Sequence, residues 1–126
     1  MFAYAGSPST YEPPGCTWRT TPRLSRRNVT LVHPVLGLWY HQDLYRLSPG
    51  DGLDGQLKER YSELTGLPIL RITGGTYTGV AATWQRNTVG GISFIVELGP
   101  TLTPAEADTH AAAVLDIAAL AVAASG

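Results

Sequence analysis

The sequence predicts an α/β protein, and three observations carry that reading. Residues 35–40 ("VLGLWY") and 91–98 ("GISFIVEL") are short apolar runs rich in strand formers. Between them, Leu53, Leu57, Tyr61 and Leu64 recur at helical spacing. After the second run, "TPAE" at 103–106 has the form of a helix start. Strand, helix, strand, strand, helix in that order indicates a layered structure with parallel or mixed pairing.

Residues 1–29 stand apart from this pattern. They hold Pro8, Pro13, Pro14 and Pro22 with Gly6 and Gly15, and show neither period, so an irregular or disordered segment is expected before an ordered part spanning 30–126. Arg19, Arg23, Arg26 and Arg27 cluster here against Glu12, which reads as a solvated arm.

The first strand follows, buried on both faces and interrupted by Gly37. "SPGDG" breaks the chain at 48–52, and the helix of Leu53 to Leu64 then runs to Gly66, where a left-handed cap stops it and Pro68 prevents its continuation. "LPILRI" at 67–72 reads as another strand, followed by a connection containing Gly74, Gly75 and Gly79. In the last helix Thr103 caps, Pro104 suits the first turn and Glu106 completes a capping box.

A chain of 126 residues with 44% hydrophobic and 15% charged residues fits one globular domain with a real core. A formal net charge of -1 gives no reason to expect nucleic acid or an anionic membrane as the main partner. Cys16 is the single cysteine, which leaves no intrachain disulfide and no cysteine-built metal site. The opening "MFAYAGSPSTYEPP" lacks a basic start followed by an apolar stretch and does not read as a secretory signal. The segment "HAAAVLDIAALAVAASG" contains Asp116 and reads as a packed helix too short and too weakly apolar to span a bilayer.

Two polar residues occupy equivalent places. His41 follows one buried strand, and Glu97 lies at the carboxyl end of another. Ligands of open α/β sheets collect at the carboxyl ends of strands, so these side chains are expected to converge on one site. Taken singly, His41 also fits a hydrogen-bonded histidine beside a core, and Glu97 a strand-end carboxylate that reaches water.

"LWYHQDL", "TGLPI", a glycine-rich loop ending in "ATWQRN", "GGISFIVELGP" and "TPAEADTHAAAVL" together resemble the C-terminal half of the zinc carboxypeptidases and murein tripeptide amidases, over about residues 31 to 120. The histidine after the strand and the spacing from Trp84 to Glu97 are the most specific parts of the likeness. The resemblance implies an α/β/α sandwich around a mixed sheet, zinc as the cofactor, and a peptide or murein peptide as the substrate. His41 then matches the later zinc ligand, Glu97 the general base acting on metal-bound water, and Tyr77 is the nearest match to a tyrosine that closes over substrate.

The early HxxE motif of that family is not in these 126 residues, and neither is the motif that grips the substrate carboxylate. His33 precedes Pro34 at the entrance of the first strand, at the opposite end of the sheet from His41, and His110 belongs to the terminal helix, so neither replaces the HxxE ligands. The expectation is a truncated zinc carboxypeptidase-like domain with impaired peptide hydrolysis. The alternatives are a non-catalytic module that binds a peptide or cell-wall fragment around His41, Trp84 and Glu97, or an inactive remnant with an exposed sheet edge.

Overall fold

The computed structural model describes residues 2–3, 21–42, 44–71 and 81–126, with backbone alone at 2–3 and 21–26. In chain order the elements are β1 (Phe2–Ala3), α1 (Thr21–Val32), β2 (Leu36–Gln42), α2 (Gly52–Thr65), α3 (Ala81–Thr88), β3 (Ile92–Leu98) and α4 (Pro104–Ser125). The protein is α/β. Its three strands lie in the order β1-β2-β3, all parallel, and the long pair β2 and β3 is in register from Leu36↔Ile92 to Gln42↔Leu98.

The pleat sorts the strand side chains to two faces. Leu36, Leu38 and Tyr40 of β2 join Phe94, Val96 and Leu98 of β3 in one core, which α2 covers with Leu57 and Tyr61 and α4 with Ala113, Ile117 and Ala121. Trp39 and Ile95 face the other way and pack with Val29 of α1 and Ala82 and Trp84 of α3. Helices therefore cover both faces of the sheet.

Several sequence expectations need correction. Residues 21–32 are helical, where an irregular segment was expected up to residue 29. Pro22 sits in the first turn of α1, where its missing N–H costs nothing, and Val29 anchors the helix at 1% exposure while Leu31 and Val32 stay exposed. Among the described side chains of α1, Val29 is the one buried, and the proline-rich stretch before the helix obscures where it begins. Of the strand expected at 67–72, the described residues 67–71 form a single parallel bridge, Leu47↔Ile69, Pro68 having no N–H to donate. Its carbonyl accepts from Leu47 N (2.9 Å), and Leu70 N donates to Leu47 O (2.9 Å). The mixed character of the sheet is confined, among the described residues, to one antiparallel bridge, Arg46↔Glu97.

The helix ends follow the sequence. Gly66 takes the left-handed conformation (φ 77°) and donates to Ser62 O at 2.8 Å. Thr103 and Glu106 form the capping box: Glu106 N donates to Thr103 Oγ1 (3.2 Å), and Thr103 N to Glu106 Oε2 (2.7 Å). The bonds that Thr103 N and the Thr103 hydroxyl (2.8 Å) donate to Oε2 hold the Glu106 carboxyl below the usual carboxylate range.

α4 is longer than its apolar segment suggested. The helix has 22 residues, and its most apolar 18-residue stretch has mean hydropathy 1.4, long and apolar enough to cross a membrane by length and composition, which corrects the expectation of a helix too short and too weakly apolar. It nevertheless packs against α2. Asp116 accepts from Arg60 Nε (2.8 Å) and Nη2 (3.0 Å), a two-point contact between the helices that lowers the Asp116 carboxyl and raises the Arg60 guanidinium.

Deeper in that interface, Tyr61 Oη lies 2.8 Å from Tyr40 Oη and 2.6 Å from His110 Nδ1. Burial pushes the titration of both tyrosines up and that of His110 below its ordinary value. A histidine lowered in the fold binds fewer protons than in the unfolded chain. Its contribution to stability is complete above the unfolded value, about 6.5, and is lost as pH falls below that. Chemical denaturation between about pH 7 and about pH 5 is expected to show stability falling, with a shallower slope in His110→Gln. Equal slopes in the two proteins would remove His110 from the account.

Candidate functional site

β2 and β3 run parallel, so their carboxyl ends meet at the same rim of the sheet. His41 and Glu97 are register partners there, one residue before the end of each strand. Both belong to the face that carries Trp39 and Ile95, each two residues earlier on its strand. His41 Nδ1 and Glu97 Oε1 are 3.8 Å apart, with side chains 33% and 17% exposed. That distance is too long for a hydrogen bond and close enough for an ion pair when the imidazole is protonated. Glu97 Oε2 is buried with no hydrogen-bond partner among the described residues. A carboxylate oxygen removed from water in this way is costly unless a ligand or a donor completes it.

A buried hydrogen-bond network underlies the pair. Trp39 Nε1 donates to Gln85 Oε1 (3.0 Å) and Ser93 Oγ (3.1 Å), and Ser93 Oγ donates to Gln85 Oε1 (3.2 Å). Gln85 and Ser93 are 1% and 0% exposed. Gly37 is required by this arrangement, because a Cβ there would overlap the Gln85 amide. The network ties α3, β2 and β3 together two to four residues below the His41 and Glu97 pair.

Sequence reasoning missed α3 and Arg46. α3 is eight residues long, with Ala82 and Gln85 buried, too short for a helical period to show. Arg46 pairs with Glu97 on the side of β3 away from β2: Arg46 N donates to Glu97 O (3.0 Å) and Glu97 N to Arg46 O (3.1 Å). It is half-buried.

Of the other residues named from sequence, Trp84 shares the face of the pair, and His33 and His110 lie elsewhere. Trp84 packs half-buried against the cluster of Trp39, Val29 and Ala82. Tyr77 lies outside the described residues. His33 closes α1 with a positive φ (48°) three residues before β2, at the amino end of the strand and away from His41. His110 is bonded to Tyr61 on the opposite face of the sheet.

Among the described residues no three His, Cys, Asp or Glu side chains gather closely enough to hold a metal ion. His41 and Glu97 supply two donors, whereas a catalytic zinc takes three protein ligands and keeps one position for water. The residues present do not fit a resident zinc by themselves, and no catalytic step through one is assigned to them. No family model, curated protein or solved structure matches the chain.

Proposed function

We propose that the chain carries one half of a metallocarboxypeptidase-type site, in which His41 and Glu97 face a peptide or murein peptide. The remaining metal ligands would come from outside these 126 residues. The observation that carries this reading is the in-register placement of an imidazole and a carboxylate, 3.8 Å apart, at the carboxyl rim of parallel strands. The sequence likeness around His41, Trp84 and Glu97 supports it, as does helical cover on both sheet faces, which suits a carboxypeptidase-like sandwich.

The chain alone is expected to take up zinc weakly and to hydrolyse no peptide, because a partial ligand set binds metal poorly. Calorimetric titration with zinc chloride tests the site. One equivalent should bind, and His41→Ala and Glu97→Gln should each weaken uptake by roughly tenfold or more, while His33→Ala leaves it unchanged. Identical titrations of all four proteins would sink the reading. The shortage of donors favours a second one, a peptide-binding module that works without metal. Peptide binding that depends on His41 and is unaffected by a chelator would establish that module instead.

A further inference from the structure

α4 is apolar on two opposite sides. Its inward seam, His110, Ala113, Ile117 and Ala121, is buried. At 3.6 residues per turn, the row about half a turn away from that seam is Ala112, Leu115, Ala119 and Val122. Leu115 and Val122 are 74% and 63% exposed, and both alanines are exposed with them. The four follow one another at steps of three, four and three residues, the spacing of a coiled-coil seam. A helix that is apolar all round belongs in a buried setting, and the described residues cover only one side of this one.

The order of sizes along the outward row indicates what covers it. Small and large residues alternate, Ala112, Leu115, Ala119, Val122. A second copy of α4, laid antiparallel about a two-fold axis at the level of Ile117, sets Leu115 against Ala119 of the other copy and Ala112 against Val122. Every layer then holds one large and one small side chain, and the helices approach to about 8 Å. A parallel copy sets Leu115 on Leu115 and Ala112 on Ala112, which alternates crowded layers with voids.

The charges select the same orientation. Asp108 continues the outward row toward the start of α4, and between 109 and 125 Asp116 is the sole Asp, Glu, Lys or Arg. Asp116 is already held by Arg60. In a parallel pair the two Asp108 carboxylates face each other across the roughly 8–10 Å between helix axes. In the antiparallel pair they lie about 27 Å apart along the axis, far beyond the Debye length of about 8 Å. A lipid surface suits the row less. α4 has no Lys or Arg to meet a headgroup, and entering a bilayer would carry the Arg60 and Asp116 pair into hydrocarbon.

We propose that the outward row of α4 is a dimer interface, filled by the same row of a second copy of this chain in antiparallel order, so that one patch serves both copies. α4 covers the face of the sheet opposite the His41 and Glu97 pair, and the interface is independent of how that pair is read.

Analytical ultracentrifugation of the full chain over a concentration series is expected to show a monomer–dimer equilibrium. Leu115→Glu places a charge in the seam and should weaken association by roughly tenfold or more. Leu31→Glu, at a similarly exposed apolar position on α1 (69%), should leave association within about twofold of the original. Oxidative cross-linking in a Cys16→Ser background reads the orientation. The Ala112→Cys and Val122→Cys proteins should cross-link to each other when mixed and neither to itself, because like positions lie about 15 Å apart along the axis of an antiparallel pair. A monomer at every concentration, an association that Leu115→Glu leaves unchanged, or cross-linking of each variant with itself overturns the inference. A monomer that floats with phosphatidylcholine vesicles, and ceases to do so in Leu115→Glu, overturns it in favour of a lipid occupant.

Discussion

Lys58→Ala is expected to destabilise the protein by about 3 kcal/mol, measured by urea unfolding, because it leaves the half-buried Asp54 carboxylate without its partner. Lys58 is 3% exposed on α2. Its Nζ donates to Asp54 Oδ2 (2.6 Å) and to Pro49 O (3.3 Å), and lies 5.4 Å from the centre of the Phe94 ring. Asp54 Oδ1 is already buried without a partner, so the lysine is the main compensation for that carboxylate. Removing both charges should cost much less than removing one, since most of the single-variant effect is the unpaired ion. The double variant Asp54→Leu/Lys58→Met is therefore expected to recover at least half of the loss. A double variant less stable than Lys58→Ala would show that the pair contributes net attraction rather than mutual neutralisation.

Tyr61→Ala is expected to cost about 3–5 kcal/mol, the range for a large aromatic side chain removed from a packed core. Tyr61 is fully buried between α2, the sheet and α4, edge-on to Phe94 with ring centroids 6.4 Å apart. Its hydroxyl joins Tyr40 and His110, so the truncation leaves two polar groups facing a void. Tyr61→Phe separates the contributions. It keeps the ring and loses the bonds, and should cost about 1–3 kcal/mol. Thermal unfolding that finds the phenylalanine variant as stable as the original would mean that Tyr40 and His110 satisfy each other without the hydroxyl.

The site was legible in the sequence to the extent that local rules place it. A strand that ends in a polar residue puts that residue at a rim, and this held for His41 and for Glu97, which the register then made neighbours. Gly66 and the box of Thr103 and Glu106 were legible for the same reason, since capping chemistry is read from residues a few positions apart. Arg46 was not, because its face is set by a single bridge, too short for strand alternation to show in the sequence. Lys58 and Asp54 have the spacing of an exposed helical pair, and only the packing of α2 against the sheet buries the lysine and half-buries the aspartate. α1 escaped detection because the proline- and glycine-rich stretch before it carried the irregular reading on through residue 29.

The account stands or falls on whether the His41 and Glu97 pair is where this molecule meets its ligands. Histidine side-chain resonances, followed by nuclear magnetic resonance during addition of zinc chloride, test this most directly. The account predicts that the His41 imidazole shifts while those of His33 and His110 stay in place, and that Glu97→Gln greatly reduces the movement. Shifts at His33 or His110 with His41 unmoved would contradict it.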